Sequence, residues 1–171
     1  MYLLKLAQTQ EAAECYGMIQ DAKAFQKEQG FTQWTEDYPN EQTILEDIEM
    51  KKGYVLTADQ QIAGYVCIDF SGEPAYAQID GAWSSGQPYA VVHRMAFSRK
   101  YRGRGMSSIA WSLIEALCVS KDVNYIRVDT DFQNKRMQHI LQKNGFSKRG
   151  IVIFQGSGKL AYDKVIRSDA P

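Results

Sequence analysis

Hydrophobic positions along the chain change spacing several times, and each change marks an element. Residues 1–7 alternate weakly and suit a first strand. Thr9 is placed to cap a helix. Cys15, Met18, Ile19 and Ala22 then recur at i, i+3, i+4, i+7, a helical stripe. Gly30 closes it, and a loop holding Phe31, Trp34, Tyr38 and Pro39 follows. Asn40 is placed to cap a second helix carrying Ile44, Leu45 and Ile48, which closes near Gly53.

From Tyr54 the period falls to two. Residues 54–57 and 62–70 read as strands around a turn at Asp59 and Gln60. Residues 76–79 are a weaker strand candidate. Residues 89–97 form an apolar run broken only by His93 and Arg94, as expected of a central strand covered on both faces. The clearest helix signal follows: Met106, Ile109, Ala110, Leu113, Ile114 and Leu117 make one stripe. Residues 123–128 read as a strand. Residues 134–143 read as a short helix with Met137, Ile140 and Leu141 inward, stopped by Asn144-Gly145. A hairpin closes the chain, with residues 151–154 and 160–166 around Gly156-Ser157-Gly158. This order predicts a mixed α/β fold with a largely antiparallel sheet and at least one parallel crossover. At 171 residues, the span 1–171 is expected to be a single domain.

Charge narrows the function classes. Lysine plus arginine equals aspartate plus glutamate at 20 each. Net neutrality argues against nucleic-acid and anionic-membrane partners, which need a basic excess. No apolar run approaches the ~20 residues of a membrane span. Lys5, Gln8, Gln10 and Glu11 interrupt any signal-peptide core, so a cytoplasmic location is expected. Cys15, Cys67 and Cys118 are odd in number and form no CxxC pair, which suggests neither a disulfide framework nor a zinc site. No metal is expected, and the cysteines are read as packed hydrophobes.

The candidate chemistry lies between His93 and Ser108. A glycine-rich turn, Arg102-Gly103-Arg104-Gly105-Met106-Ser107, runs from a strand into a helix N-terminus. Such a turn is an anion site, because glycines let the backbone approach and the helix dipole points at the ligand. Arg99, Lys100, Arg102 and Arg104 add positive charge, and a diphosphate matches. A Walker loop is excluded because no GxxxxGK[ST] string exists. A dinucleotide fingerprint is incomplete, with Ser108 in the third glycine position and Asp122 ahead of the next strand instead of at its end.

Arg102-x-x-Gly105-x-Ser107 resembles the [QR]-x-x-G-x-[GA] signature of GCN5-related N-acetyltransferases, here following a strand that ends Met95-Ala96-Phe97. Asn134 and the later Leu141-Gln142-Lys143-Asn144-Gly145-Phe146 resemble that family's second motif, an Asn followed by Y-x-x-x-G-F. The resemblance covers roughly residues 2–165. It implies a twisted, mostly antiparallel mixed sheet of about six to seven strands with about four helices, splayed between the fourth and fifth main strands. It implies acetyl-coenzyme A as acetyl donor, entering that cleft. Backbone groups of Met95, Ala96 and Phe97 would take the pantetheine arm, and N–H groups from Gly103 to Ser107, with Arg102, Arg104 and Met106 in the same loop, would take the diphosphate. Asn134 would contact coenzyme A as well as cap its helix. Two positions depart from the pattern. Ser107 replaces Gly or Ala but keeps its N–H. Leu141 replaces the tyrosine thought to protonate the departing thiolate, so no general acid is assigned.

His93 sits where the family often presents a Glu or His toward the acetyl group, and arylalkylamine-type members carry a His at this offset. A histidine titrates near neutrality and suits a base for an ammonium substrate; the competing reading is a core histidine. Strand alternation puts Val91, His93, Met95 and Phe97 on one face and Arg94 on the other, where Asp129 or Asp131 is the expected partner. His139 is expected at the surface. Trp34, Tyr38, Trp83 and Tyr89 are candidates for an acceptor pocket, since aromatic walls suit amines; ordinary packing competes. The acceptor is expected to be a small-molecule amine. A protein N-terminus or lysine as acceptor, and a non-catalytic acyl-coenzyme A module, are the alternatives. A homodimer is left open.

Overall fold

The computed structural model describes residues 1–166. These form eight strands, β1 (Tyr2–Leu6), β2 (Gly53–Ala58), β3 (Gln61–Asp69), β4 (Asp80–Gly81), β5 (Ala90–Phe97), β6 (Tyr125–Thr130), β7 (Ser147–Phe154) and β8 (Ser157–Val165). They also form four helices, α1 (Ala12–Glu28), α2 (Glu41–Glu49), α3 (Met106–Ser120) and α4 (Lys135–Lys143). The strands hydrogen-bond in the order β1-β2-β3-β5-β6-β8-β7-β4, a mostly antiparallel sheet whose parallel pair is β5 with β6. The chain divides into two compact units. One holds Met1–Ile68 and His93–Leu113; the other holds Asp69–Val92 and the chain from Ile114. The break falls inside β5, between Val92 and His93.

In the first unit, β1 and β3 flank β2 antiparallel, with an irregularity at Leu56/Thr57. All of β2 is buried, as a strand with both faces covered must be. One cluster gathers Cys15, Met18 and Ile19 of α1 with Ile44 and Ile48 of α2, Val55, Tyr65 and Ala96. A second gathers Leu56, Ala58 and Ala63 with Tyr101, Met106 and Ala110, and Met95 and Phe97 pack against it. Each fully buried Ile here contributes roughly 1.5–3 kcal/mol. Asn40 caps α2 as the sequence suggests: its side chain accepts from the Thr43 N–H at 2.9 Å, and its own N–H donates to Thr43 Oγ1 at 3.1 Å. Thr9 does not cap α1. It opens a 3-10 turn, Thr9–Glu11, that precedes the helix, and the Glu11 carboxylate accepts from the Gln8 N–H at 2.8 Å.

In the second unit, β8 pairs antiparallel with β6 and with β7. The start of β5 pairs parallel with β6 at Ala90↔Ile126 and Val91↔Arg127. The segment read as a weak strand at residues 76–79 is instead a 3-10 turn, Pro74–Gln78. Pro74 suits a helical first turn and lacks a ladder donor, and Glu73 Oε1 accepts from the Ala75 N–H at 3.2 Å. Only Asp80 and Gly81 join the sheet, against Ile151 and Gly150. There the chains approach so closely that a Cβ on Gly81 would lie 2.2 Å from the Arg149 carbonyl oxygen. The closing hairpin turns one residue earlier than its glycines suggest. Gln155 and Gly156 both take positive φ, 53° and 77°, between the paired Phe154 and Ser157, which is the two-residue turn that matches strand twist.

Candidate active site

The loop after β5 is built to leave its backbone open. A 3-10 turn, Arg99–Tyr101, leads into Gly103 and Gly105, whose φ angles are 74° and 70°. Those values favour glycine. An ideal Cβ at either position would meet nothing within 4 Å, and both glycines are exposed. Met106 then starts α3, whose first N–H groups have no intrahelical partner. Met106 itself is buried and Ser107 half-buried. The loop thus leaves open space beside its backbone at both glycines.

The surrounding cations are held in place by neighbours in the same unit. Arg102 lies over the Phe25 ring at 5.7 Å and Arg104 over Tyr101 at 5.9 Å. Arg99 pairs with Asp21 at 3.2 Å, and Lys100 donates to Gln61 Oε1 at 2.5 Å. Stacking on a ring leaves a guanidinium its charge.

Along β5, the two-residue period does not carry through. Arg94 has φ 53°, in the left-handed region, so the face expected to hold Val91, His93, Met95 and Phe97 together is broken between them. Beyond the break, Ala96 is buried in the α1–α2 cluster while Met95 and Phe97 pack toward α3. The Ser98 N–H donates to the Ala63 carbonyl at 2.9 Å and anchors the strand end. His93 is half-buried just before the break.

Arg94 finds neither Asp129 nor Asp131. Its Nε and Nη2 donate to the two carboxylate oxygens of Asp47 at 2.9 and 2.6 Å, and its Nη1 donates to the Tyr38 hydroxyl at 2.8 Å. Tyr65 adds a hydroxyl donor to Asp47 at 2.6 Å. Burial, then the Asp47 carboxylate, push the Tyr65 phenol upward. Asp131 is taken by Lys159 at 3.1 Å.

The four aromatic candidates divide two and two. Trp34 and Tyr38 lie in the first unit, half-buried on the loop between α1 and α2. Trp34 packs against the α1–α2 cluster, and its N–H donates to Gln26 Oε1 at 3.0 Å. Trp83 and Tyr89 lie in the second unit, and their ring faces are taken by the protein itself. The Arg127 guanidinium sits 4.5 Å from the Trp83 centroid, 4.1 Å from Tyr89 and 5.2 Å from Tyr125. It also donates to the Ser85 carbonyl at 2.8 Å. This cage points Trp83 and Tyr89 to internal packing.

Asn134 caps α4, accepting from the Met137 N–H at 3.1 Å. Leu141 on that helix is 1% exposed, and His139 is exposed. Asp129, expected beside Arg94, has a different partner. Its Oδ2 accepts from the buried Tyr76 hydroxyl at 2.6 Å. Burial pushes the Asp129 carboxyl up to about 6, against the lowering effects of Tyr76 and Lys159. Among the described residues no group of three or more His, Cys, Asp or Glu is placed to hold a metal, and no helix is long and apolar enough to cross a membrane.

Solved structures of the same fold are acetyltransferases. A GNAT-family acetyltransferase from Streptococcus agalactiae matches with a TM-score of 0.88 and 32% identity, over 98% of this chain and 96% of that one. The aminoglycoside acetyltransferase AAC(6')-Ib, in complex with coenzyme A and kanamycin, matches with a TM-score of 0.70 and 16% identity, over 96% and 95%. A structure of AAC(6')-Ib with paromomycin and acetyl-coenzyme A matches at 0.69 and 18%, over 99% of each chain. No curated protein matches the sequence significantly. The chain belongs to the acetyltransferase (GNAT) family, whose model matches residues 14–146.

Proposed function

We propose that this acetyltransferase moves an acetyl group from acetyl-coenzyme A to a primary amine of a small molecule, by direct attack in a ternary complex. The observation that carries the reading is the open turn at Gly103 and Gly105 feeding α3. It suits a diphosphate, and Arg102 and Arg104 supply charge beside it. Met95, Ala96 and Phe97 offer backbone groups to the pantetheine arm, and Asn134 offers an amide. A backbone N–H near Met95 or Phe97 would stabilise the developing oxyanion.

His93 serves as base. An amine with a pKa near 10 arrives protonated, and it attacks only after losing that proton. The thiolate is a good leaving group, so water can return a proton without the family's tyrosine at Leu141. Trp34 and Tyr38 favour a compact amine by supplying aromatic surface. Residues 1–171 act as one acetyltransferase domain in the cytoplasm. The test is a panel of amines and amine-bearing peptides with acetyl-coenzyme A, read by thiol release. Turnover of small amines above peptides supports the reading. Turnover of peptides alone moves the acceptor to protein, and no turnover with any amine overturns it.

A further inference from the structure

Among the described residues, six that are not glycine take positive φ: Lys51, Asp59, Gln60, Arg94, Asp122 and Gln155. Five of them lie in turns that join one element to the next. Arg94, at 53°, is the exception and lies inside a strand. Unlike asparagine or aspartate, arginine has no short polar side chain to support that conformation locally. Something outside the strand must therefore hold it.

The holder is Asp47, from α2. Its Oδ2 and Oδ1 accept from Arg94 Nε and Nη2 at 2.9 and 2.6 Å, the two-pronged match of a planar guanidinium to a carboxylate. Both side chains are largely enclosed, Arg94 at 12% and Asp47 at 8% exposure. Tyr65 of β3 also donates to Oδ2, at 2.6 Å, and Arg94 Nη1 donates to the Tyr38 hydroxyl at 2.8 Å. The space around the cluster is full: a Cβ on Gly53 would lie 3.2 Å from the Tyr65 hydroxyl oxygen. An enclosed ion pair adds little net stability over apolar side chains of the same volume. What the fork adds is direction, because its geometry is rigid.

That direction governs what lies on either side. Extended backbone at Arg94 would put His93, Met95 and Phe97 on one face. The left-handed turn breaks that alternation. Beyond it Ala96 enters the α1–α2 cluster, and Met95 and Phe97 pack with Tyr101, Met106 and Ala110. We infer that Arg94 is a positioning residue for acetyl transfer: its fork on Asp47 locks the left-handed turn in β5, and that turn sets the relation of His93 to the Met95–Phe97 backbone. This rests on the reading that the base and the pantetheine arm share this strand. Arg94 acts through the strand and need touch neither cosubstrate.

Glycine takes positive φ freely and alanine does not, which separates the backbone from the side chain. The pair to compare is Arg94→Gly and Arg94→Ala, each combined with Asp47→Asn so that no carboxylate is left unmatched. At an ordinary strand position the glycine variant melts lower. Here it should melt higher than the alanine variant, a comparison that needs neither cosubstrate. With any accepted amine, kcat should be roughly 10- to 100-fold higher in the glycine variant, at similar amine KM. An equal or lower Tm for the glycine variant overturns the lock. A higher Tm with equal kcat means that the turn serves packing alone, and overturns the positioning role. If the alanine variant fails to fold where the glycine variant folds, the lock is upheld and Arg94→Lys carries the kinetic test. It keeps a charge opposite Asp47 but loses the fork, so kcat should fall about 10-fold at unchanged amine KM; full kcat overturns the positioning role. Failure of the amine reading looks different, because the wild type then turns over no amine while the Tm order stands. The acetyl-coenzyme A-induced Tm shift, larger in the glycine variant than in the alanine variant, then decides the positioning role, and equal shifts overturn it.

Discussion

His93 and Arg94 are adjacent in the chain, and the two answer to different physics. Arg94 is a buried structural cation, clamped by Asp47 and Tyr38; its choice of acid was not legible in the sequence, because a contact 47 residues away in the chain leaves no periodic trace. The arginine's burial was legible, since a lone cation in an apolar strand must be paired. His93 carries the proposed base role. His93→Gln is nearly isosteric, so folding and the acetyl-coenzyme A-induced Tm shift should survive. kcat/KM should fall by about 10²- to 10⁴-fold, and the near-neutral limb of its pH profile should disappear. A folded variant with unchanged rate and pH dependence would remove His93 from the mechanism.

Among the elements, those with strong periodicity were read correctly, while the segment at residues 76–79 was not. The α3 stripe from Met106 to Leu117 is the helix observed. Residues 76–79 misled because their apolar spacing suits a strand, while Pro74 and the Glu73 cap dictate a 3-10 turn. The glycine turn before α3 was legible, because glycines between a strand and a helix stripe have few other uses. Its left-handed geometry makes a prediction at this scale. Gly105→Glu places a carboxylate at the proposed diphosphate position and should abolish the acetyl-coenzyme A-induced Tm shift. Gly105→Asn tolerates positive φ and adds no charge, so it should keep most of that shift. Loss of the shift in both variants, with both folded, would mean that backbone strain and not charge governs the loop.

For the molecule as a whole, two internal carboxylates bend the stability curve in opposite directions. Asp163 is held below the usual carboxylate range: burial raises it, but the bonds from Tyr125, Arg149 and Ser84 outweigh burial. Its contribution is present above the unfolded pKa of about 3.9 and is lost as pH falls below that. Asp129 sits at about 6, above its unfolded value. The native state therefore holds its proton more tightly. Stability falls as pH rises from about 4 to about 6, by up to about 3 kcal/mol, and stays lowered above that. Above about pH 5 Asp163 is ionised in both states, so Asp129 sets the slope there. Asp129→Asn should match wild-type Tm near pH 4.5 and exceed it at pH 7. Parallel Tm curves for the two proteins would show that Asp129 titrates as an ordinary surface acid.

Cys15, Cys67 and Cys118 are all buried. Burial, with Glu11 and Glu14 beside the first and Glu115 beside the last, pushes the Cys15 and Cys118 thiols up to about 12. A thiol reagent attacks thiolate, so the native protein should stay silent toward it at neutral pH. Coenzyme A released by turnover is then the one sulfhydryl that such a reagent counts. The same silence is a clock for unfolding: when the cores open, three equivalents of colour per chain should appear at the rate of opening.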